Sequence, residues 1–224
     1  MTLRSFRRSS GAGLSGIRPV HIQLLLDLPE SFRLLEVLGY LTTSLANYKV
    51  PLELSPYLCG ANLAALRKPA EGYRPIIDII RWLKLILRRV QPTLVPKLCP
   101  LQVGIGVPAA TECLYHRLAH FCEDTANRED GMALLLLDLR NAFNSVSRQS
   151  ILDALYSFAP QLIKWFAWSY GVPSILRHGS YTILSQNGVQ QGDPLSGLLF
   201  VLSIHRCVKL VADLTGQPGF LTTG

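Results

Sequence analysis

Apolar residues in the first fifty positions recur three and four residues apart, which is the spacing of an α-helix that packs one face on a core. The pattern is interrupted at Pro29, because proline does not continue a helix through its own position. It predicts two helices between about residues 20 and 48. The apolar stripes are Ile22, Leu25 and Leu26 before the break and Phe32, Leu35 and Leu38 after it.

Shorter apolar segments bounded by turn residues predict strands. Residues 61–67 and 73–76 are two short extended pieces on either side of a turn at 70–72. The run Met132–Leu137 has the length and flanks of a buried strand. Residues 174–185 alternate around a central Gly-Ser pair, as in a β-hairpin.

Helical periodicity recurs later in the chain. It predicts an amphipathic helix over 76–90, a helix that begins near Pro108, a helix over 146–158, and a last long helix that starts at Asp193-Pro194. The proline-rich residues 91–100 are expected to form an irregular connection. Helices packed on a sheet of few strands give an α+β fold class.

Composition narrows the functional classes. The chain has 224 residues, of which 49% are hydrophobic and 17% charged, so a globular fold with a sizeable core is expected. There are 22 Lys and Arg against 15 Asp and Glu, for a net charge of +7. A basic surface attracts polyanions, so nucleic acid or an anionic membrane surface is a candidate partner.

Cysteines and apolar runs suggest the compartment. The five cysteines are scattered, with no CxxC pair and no Cys/His cluster, which predicts free thiols in a reducing compartment and argues against a zinc site. No apolar run is long enough to cross a bilayer, so no transmembrane segment is expected. Residues 1–18 are rich in Arg and Ser and lack acids, which is also the composition of an organelle transit peptide.

Three residues near predicted element ends are candidates for chemistry. Asp138 directly follows an apolar run, so its carboxylate could either hold a divalent cation at the end of a strand or cap the following helix. By itself, Phe143 is most simply a core residue. Gly192 lies in a turn sequence and would allow close approach of a ligand, although a hairpin is the simpler account.

The segments around these residues resemble motifs A and B of the reverse transcriptase family, in the form found in non-LTR retrotransposons. They are LLLLDLRNAFNSV (Leu134 to Val146) and NGVQQGDPLSGLLF (Asn187 to Phe200). Upstream, LRKPAEGYRPI looks like the fingers hairpin of that family, and LQVGIGVPAATE looks like the stretch before motif A. SSGAGLSGIRPVHI resembles the Gly-rich segment near the start of such domains, which competes with the transit-peptide interpretation.

The resemblance implies a right-hand polymerase fold of fingers and partial palm, with helices on a small antiparallel sheet. Residues 1–50 would be an N-terminal helical extension of the fingers, residues 51–130 the fingers, and residues 131–224 the partial palm. Asp138 would be the catalytic carboxylate and, with the backbone carbonyl of Leu139, would hold Mg²⁺ or Mn²⁺ for two-metal nucleotidyl transfer.

The resemblance also implies a nucleotide site. Lys68 and Arg74 would grip the triphosphate. Phe143 would lie under the sugar and exclude a 2′-hydroxyl, and Gln191 and Gly192 would position the template and the incoming nucleotide. The implied partners are an RNA template, a DNA primer and deoxynucleoside triphosphates, with no membrane among them. The expected location is intracellular, in the nucleus or the cytoplasm, and the oligomeric state is left open.

Two features depart from the family pattern. Gly197 stands where many relatives have proline. No YxDD or FxDD string occurs in the 224 residues, so the further catalytic carboxylates of motif C are missing. We therefore expect a polymerase domain that is cut short before motif C and is weak or inactive by itself.

Other functional classes stay open at this point. The chain could be a non-catalytic nucleic-acid-binding remnant of a degenerate retroelement, or a structural domain whose palm-like core serves protein contacts. A viral RNA-directed RNA polymerase is a nearer alternative in chemistry, but the motif A setting of Phe143 and the QGDPLS string favour DNA synthesis.

Overall fold

The computed structural model describes residue 4 and residues 16–64, 74–77, 88–125, 137–190 and 192–215 of the chain. Helices packed beside one small sheet make the described part α+β, as predicted from the sequence. The helices are α1 (Pro19–Leu25), α2 (Ser31–Ala46), α3 (Ser55–Leu58), α4 (Gln91–Leu98), α5 (Ala110–Thr125), α6 (Ala142–Ser145), α7 (Arg148–Phe158), α8 (Ile163–Tyr170) and α9 (Ser196–Thr215). Short 3₁₀ turns cover Leu52–Leu54, Arg88–Val90 and Pro160–Leu162.

The sheet joins segments that are far apart in the sequence. Its strands are β1 (Ala61–Ala64), β2 (Arg74–Ile77), β3 (Ser174–His178) and β4 (Tyr181–Ser185), in the order β2-β1-β3-β4. The pairs β1–β2 and β3–β4 are antiparallel, whereas β1 and β3 are parallel through Ala61↔Leu176 and Asn62↔Arg177. The sheet is therefore mixed, and the predicted all-antiparallel arrangement is wrong at its centre.

Several predicted elements are confirmed. The first two helices flank Pro29, and the extended pieces predicted at 61–67 and 73–76 overlap β1 and β2. The hairpin turns at Gly179, whose φ of 58° is a positive value that glycine adopts at little steric cost. The helix expected near Pro108 begins at Ala110, and the helix expected over 146–158 is α7.

The proline-rich connection is not irregular, and that prediction is wrong. Residues 91–98 form α4, with Pro92 in the first turn, where a missing backbone N–H leaves no hydrogen bond unmade. Leu94 and Leu98 are one turn apart and each 1% exposed, so burial of one helix face outweighs the disruption from the internal Pro96.

Two other element boundaries differ from expectation. Ile76 and Ile77 lie in β2, so the helix expected over 76–90 does not begin at residue 76, and residues 78–87 lie outside the described residues. The strand expected at Met132–Leu137 also lies outside them, apart from Leu137, which is irregular and 77% exposed.

The main core lies between α4, α7, α8 and α9. Helices α7 and α9 contact each other extensively, and α8 adds large aromatic side chains. Each fully buried aliphatic or aromatic side chain here contributes about 1.5–3 kcal/mol. The largest fully buried members are Leu94, Leu98, Ile151, Leu155, Leu162, Trp165, Leu195 and Leu198.

A second cluster attaches the N-terminal helices to this core. Trp168 of α8 is fully buried against Leu45 of α2 and Cys59. Its indole N–H donates to the carbonyl of Val50 at 3.0 Å, and its own carbonyl accepts from the Ser55 hydroxyl at 2.6 Å. Residues 45–59 are thereby fixed to the end of α8.

Two further features of the described residues concern the cysteines and the helices. All five cysteines lie in this part of the chain, and none is disulfide-bonded, as expected. Across these residues, no helix is both long and apolar enough to cross a membrane.

Candidate functional site

The segment that contains Asp138 is exposed and leads into a sharp turn. Residues 137–139 are irregular, and Asp138 and Leu139 are both exposed. Asn141 then adopts a left-handed backbone with φ 52° and ψ 34°, a conformation that asparagine tolerates better than most residues. This turn reverses the chain into α6.

Asp138 does not cap the helix that follows it. Helix α6 begins at Ala142, and its N-cap residue is Asn141, three positions after Asp138. The carbonyl of Leu139 accepts the Ala142 N–H at 3.3 Å, which leaves one of its lone pairs for another donor or a cation. The structure therefore argues against the capping alternative and presents the Asp138 carboxylate to solvent.

Phe143 lies on α6 between the core and the surface. Its side chain is half-buried and packs against the main core, with its ring centroid 5.0 Å from that of Phe200 on α9. This contact fixes one side of the ring. The role of Phe143 at a nucleotide sugar stays a prediction.

A backbone contact joins the two motifs that were identified in the sequence. The N–H of Val189 donates to the carbonyl of Phe143 at 2.7 Å. Gly188 has φ 64°, and a Cβ added there would fall on the backbone of Phe143 and Asn144. The loop before α9 therefore lies directly on α6, at a distance that only glycine allows.

Asp193 is buried just before α9 and accepts several hydrogen bonds. It is 4% exposed, and its Oδ1 accepts the N–H of Leu195 at 2.9 Å, while Oδ2 accepts the hydroxyl of Tyr170. Its carbonyl accepts the Ser196 hydroxyl at 2.7 Å. The helix thus starts at Ser196, two residues after the predicted Asp-Pro start, because Asp193 forms a turn that precedes the first helical residue.

Gly192 directly precedes Asp193 in the chain. It is exposed, with φ 91°, a value that favours glycine over residues with a Cβ. An exposed backbone without a side chain leaves room for a ligand, and the role of Gly192 beside a nucleotide or template stays a prediction.

Arg148, which the sequence analysis did not single out, lies beside the candidate site. Its Nε donates to the carbonyl of Gly188 at 3.1 Å, one terminal nitrogen donates to that of Tyr170 at 2.8 Å, and the other to that of Ser185 at 3.0 Å. The guanidinium lies 5.3 Å from the centroid of the Tyr170 ring. A cation in the first turn of a helix opposes the helix dipole. This misplaced charge was the one sequence signal that Arg148 has partners elsewhere.

Burial changes the pKa values of Tyr170 and Arg148. Burial, followed by the nearby Asp193 carboxylate, raises the pKa of Tyr170 well above its ordinary value. Burial lowers the pKa of Arg148, and the tyrosine opposes that shift. The tyrosine therefore stays a neutral hydrogen-bond donor to Asp193.

A second buried polar pair connects the loop before α5 to α9. The amide nitrogen of Gln102 and Nδ1 of His205 are 3.0 Å apart, and the two residues are 2% and 5% exposed. Burial, followed by Lys209, lowers the pKa of His205. A neutral His205 can accept the Gln102 N–H, so the pair is a polar tie within the core.

The remaining predicted site residues are only partly placed. Lys68 and Gln191 lie outside the described residues. Arg74 begins β2 and pairs with Ala64, and only its backbone is described. The structure therefore brings the Phe143 segment and the loop before Gly192 together, and it does not place the predicted triphosphate cations beside them.

The oxygen ligands at Asp138 and Leu139 are of the type that a hard cation such as Mg²⁺ prefers, but they are too few to form a complete site. A carboxylate at Asp138 and a carbonyl at Leu139 are the oxygen ligands that Mg²⁺ prefers. Over the described ranges, no group of three His, Cys, Asp or Glu side chains is arranged to hold a metal. These two residues could supply part of a metal site, and a complete site needs further ligands.

Comparison with known proteins places these motifs in one family. The family model described as reverse transcriptase (RNA-dependent DNA polymerase) matches residues 66–216. That range contains every residue that the sequence assigned to the site.

Three curated relatives are proteins of transposable elements. The chain is 30% identical over 209 residues to the retrotransposable element SLACS 132 kDa protein of Trypanosoma brucei gambiense, covering 88% of this chain and 17% of that protein. It is 32% identical over 92 residues to the retrovirus-related Pol polyprotein from type-1 retrotransposable element R2 of Nasonia vitripennis, covering 38% and 9%. It is 33% identical over 110 residues to the transposon TX1 uncharacterized 149 kDa protein of Xenopus laevis, covering 46% and 8%. The aligned region is about a sixth or less of each relative.

Proposed function

This chain belongs to the reverse transcriptase (RNA-dependent DNA polymerase) family of non-LTR retrotransposons, and on that premise we propose that it forms the nucleotide-receiving part of such a polymerase. Within a complete protein it would take part in template-directed DNA synthesis from RNA. Residues 1–130 would contribute the N-terminal extension and the fingers, and residues 131–224 part of the palm.

The contact between Phe143 and Val189 is the observation that carries this proposal. The two segments are far apart in the sequence, and their backbones are joined by a hydrogen bond of 2.7 Å. Asp138 lies exposed five residues before one partner, and Gly192 lies exposed three residues after the other. This arrangement supports one site in which a carboxylate and an open backbone face the same ligand.

Asp138 would hold a divalent cation together with the Leu139 carbonyl. When bound, two divalent metals activate the primer hydroxyl and neutralise charge on the triphosphate. One carboxylate is too few for two metals, so the activity of a complete protein requires additional acidic ligands.

The other predicted residues would bind and select the nucleotide. Lys68 and Arg74 would bind the triphosphate, Arg74 through its planar fork and Lys68 as a point charge. Gln191 would hydrogen-bond to the template or the nucleotide. Phe143 would exclude the 2′-hydroxyl, since a ring held against Phe200 cannot easily move away from a larger sugar.

The test uses the complete natural protein that contains this sequence. It is incubated with an RNA template, an annealed DNA primer, deoxynucleotides and Mg²⁺. We expect primer extension, and we expect Asp138→Asn to reduce it at least about 100-fold without loss of template–primer binding. Asp153→Asn, which changes an exposed carboxylate on α7, is the matched control and should extend normally. Extension by Asp138→Asn at the control rate would overturn the assignment.

A second candidate is a nucleic-acid-binding module without catalysis. It is favoured by the net charge of +7 and by the scarcity of clustered acidic ligands among the described residues. Filter binding of an RNA–DNA duplex to this chain at several salt concentrations tests it. Affinity that falls steeply with salt, together with no extension by the complete protein, would favour the binding module. Failure to bind at low salt would favour a structural role.

A further inference from the structure

We propose that Arg148 is a positioning residue which, through Tyr170 and Asp193, fixes the backbone of residues 185–190 against Phe143 and so sets nucleotide affinity and sugar selectivity. This inference rests on the proposed function. It adds residues that lie beside the site and do not touch the substrate.

Arg148 connects three separate pieces of the chain. Its partners are the last residue of β4, a glycine in the following loop and the last residue of α8. All three acceptors are backbone carbonyls, so the guanidinium fixes main-chain positions and does not neutralise a carboxylate directly. The planar fork of arginine supplies three donors in fixed directions, which a lysine ammonium cannot reproduce.

Tyr170 connects this anchor to the other end of the loop. Its carbonyl accepts from Arg148, its ring lies beneath the guanidinium, and its hydroxyl donates to Asp193. Residues 185 and 188 are therefore held by Arg148, and residue 193 is held by Tyr170, which Arg148 itself contacts. The loop is restrained at both ends from one point at the start of α7 and the end of α8.

The restrained loop bears directly on Phe143. Val189 lies between the two anchored ends and donates its N–H to the Phe143 carbonyl. The close approach at Gly188 leaves no space for adjustment between the loop and α6. A shift of the loop must therefore either break this hydrogen bond or move Phe143 with it.

The expected effect is on binding and selection more than on the chemical step. Phe143 and Gly192 are at the proposed sugar and base-pair side of the site, whereas Asp138 lies outside the restrained loop. Misplacement of substrate-contacting groups by about 1 Å can cost on the order of 100-fold. Loss of the anchor should therefore raise KM for deoxynucleotides and admit ribonucleotides.

The experiment compares conservative variants in the complete protein. Arg148→Lys should raise the deoxynucleotide KM by about 10- to 100-fold, lower the preference for deoxy- over ribonucleotides by about 10-fold, and change kcat by less than about 3-fold. Tyr170→Phe and Asp193→Asn should shift KM and selectivity in the same direction. Arg206→Lys, at an exposed position on α9, keeps the same net charge and should match the natural protein.

Hydrogen exchange on this chain provides a readout that does not need catalysis. Arg148→Lys should speed exchange of peptides from residues 186–192, including the Val189 amide, and leave peptides from α5 unchanged. A folded Arg148→Lys variant with natural KM and natural selectivity would overturn the inference. If Arg148→Lys does not fold, unchanged selectivity in Tyr170→Phe and Asp193→Asn would overturn it. Absence of extension by the natural protein would instead refute the proposed function.

Discussion

Replacing Gly188 with alanine tests the close packing of the loop on α6. Gly188 has a positive φ of 64°, and an added Cβ would lie within 3.0 Å of backbone atoms of Phe143 and Asn144. Because these neighbours are backbone, they cannot rotate away as a flexible side chain could. Gly179 provides a matched control, since its φ is 58° and a Cβ there would meet nothing within 4 Å.

Comparing Gly188→Ala with Gly179→Ala separates the free-energy cost of backbone strain from that of steric overlap. Both substitutions impose a left-handed backbone on alanine, which costs about 1–2 kcal/mol. Only Gly188→Ala adds steric overlap, which costs about 1–3 kcal/mol more in packed regions. We therefore expect a free energy of unfolding that is lower by about 2–5 kcal/mol for Gly188→Ala and by about 1–2 kcal/mol for Gly179→Ala.

Urea denaturation followed by tryptophan fluorescence measures both variants under identical conditions. In thermal unfolding, the extra overlap corresponds to a Tm lower by about 2–12 °C than that of Gly179→Ala. Hydrogen exchange of the Val189 amide should also accelerate only in Gly188→Ala. Equal losses of stability in the two variants would refute the close approach of the loop to α6.

Three other substitutions have defined outcomes. Because burial lowers the pKa of His205, the unfolded chain binds more protons than the folded chain at acid pH. The contribution of His205 to stability should be full above about pH 6.5 and should fall as the pH drops from there through the lowered folded-state pKa. His205→Gln should therefore reduce the difference between the urea midpoints at pH 7.5 and pH 5; an unchanged difference, or an equal reduction by the exposed control His178→Gln, would contradict this prediction. Trp168→Phe removes the indole N–H that donates to the Val50 carbonyl and should lower the free energy of unfolding by about 1–3 kcal/mol. An unchanged urea midpoint would show that this hydrogen bond contributes nothing to stability. Phe143→Val in the complete polymerase should increase ribonucleotide incorporation relative to deoxynucleotide, and unchanged selectivity would count against its steric role.

Strong periodicity made much of the fold predictable. The helices around Pro29 and the hairpin at Gly179 follow from local spacing and turn chemistry, and both are confirmed. Helix α4 was missed because prolines suggest a loop, and only tertiary burial of Leu94 and Leu98 explains why the helix forms. The parallel pairing of β1 with β3 was missed because parallel strands lack a short connecting turn that marks them in a sequence.

The candidate site could be proposed from the sequence only where side-chain identity carries the signal. Asp138, Phe143 and Gly192 were proposed because they stand in segments that resemble the motifs of a known family, and their roles stay predictions. Arg148 was missed because its partners are backbone carbonyls 22 to 40 residues away, and any residue type supplies a carbonyl. Asp193 was predicted only as the start of the last helix, because its hydrogen bond to a buried tyrosine depends on the fold.

The parallel pairing of β1 with β3 also determines when the sheet can form during synthesis. Ala61 leaves the ribosome more than a hundred residues before its partner Leu176. The edge of β1 that pairs with β3 therefore stays unpaired until β3 has been synthesised. Contacts between such distant residues carry a large loop-closure entropy and slow folding. Until β3 arrives, this nascent edge can recruit strands from other chains, and chaperone binding in that interval would protect the growing polypeptide from aggregation.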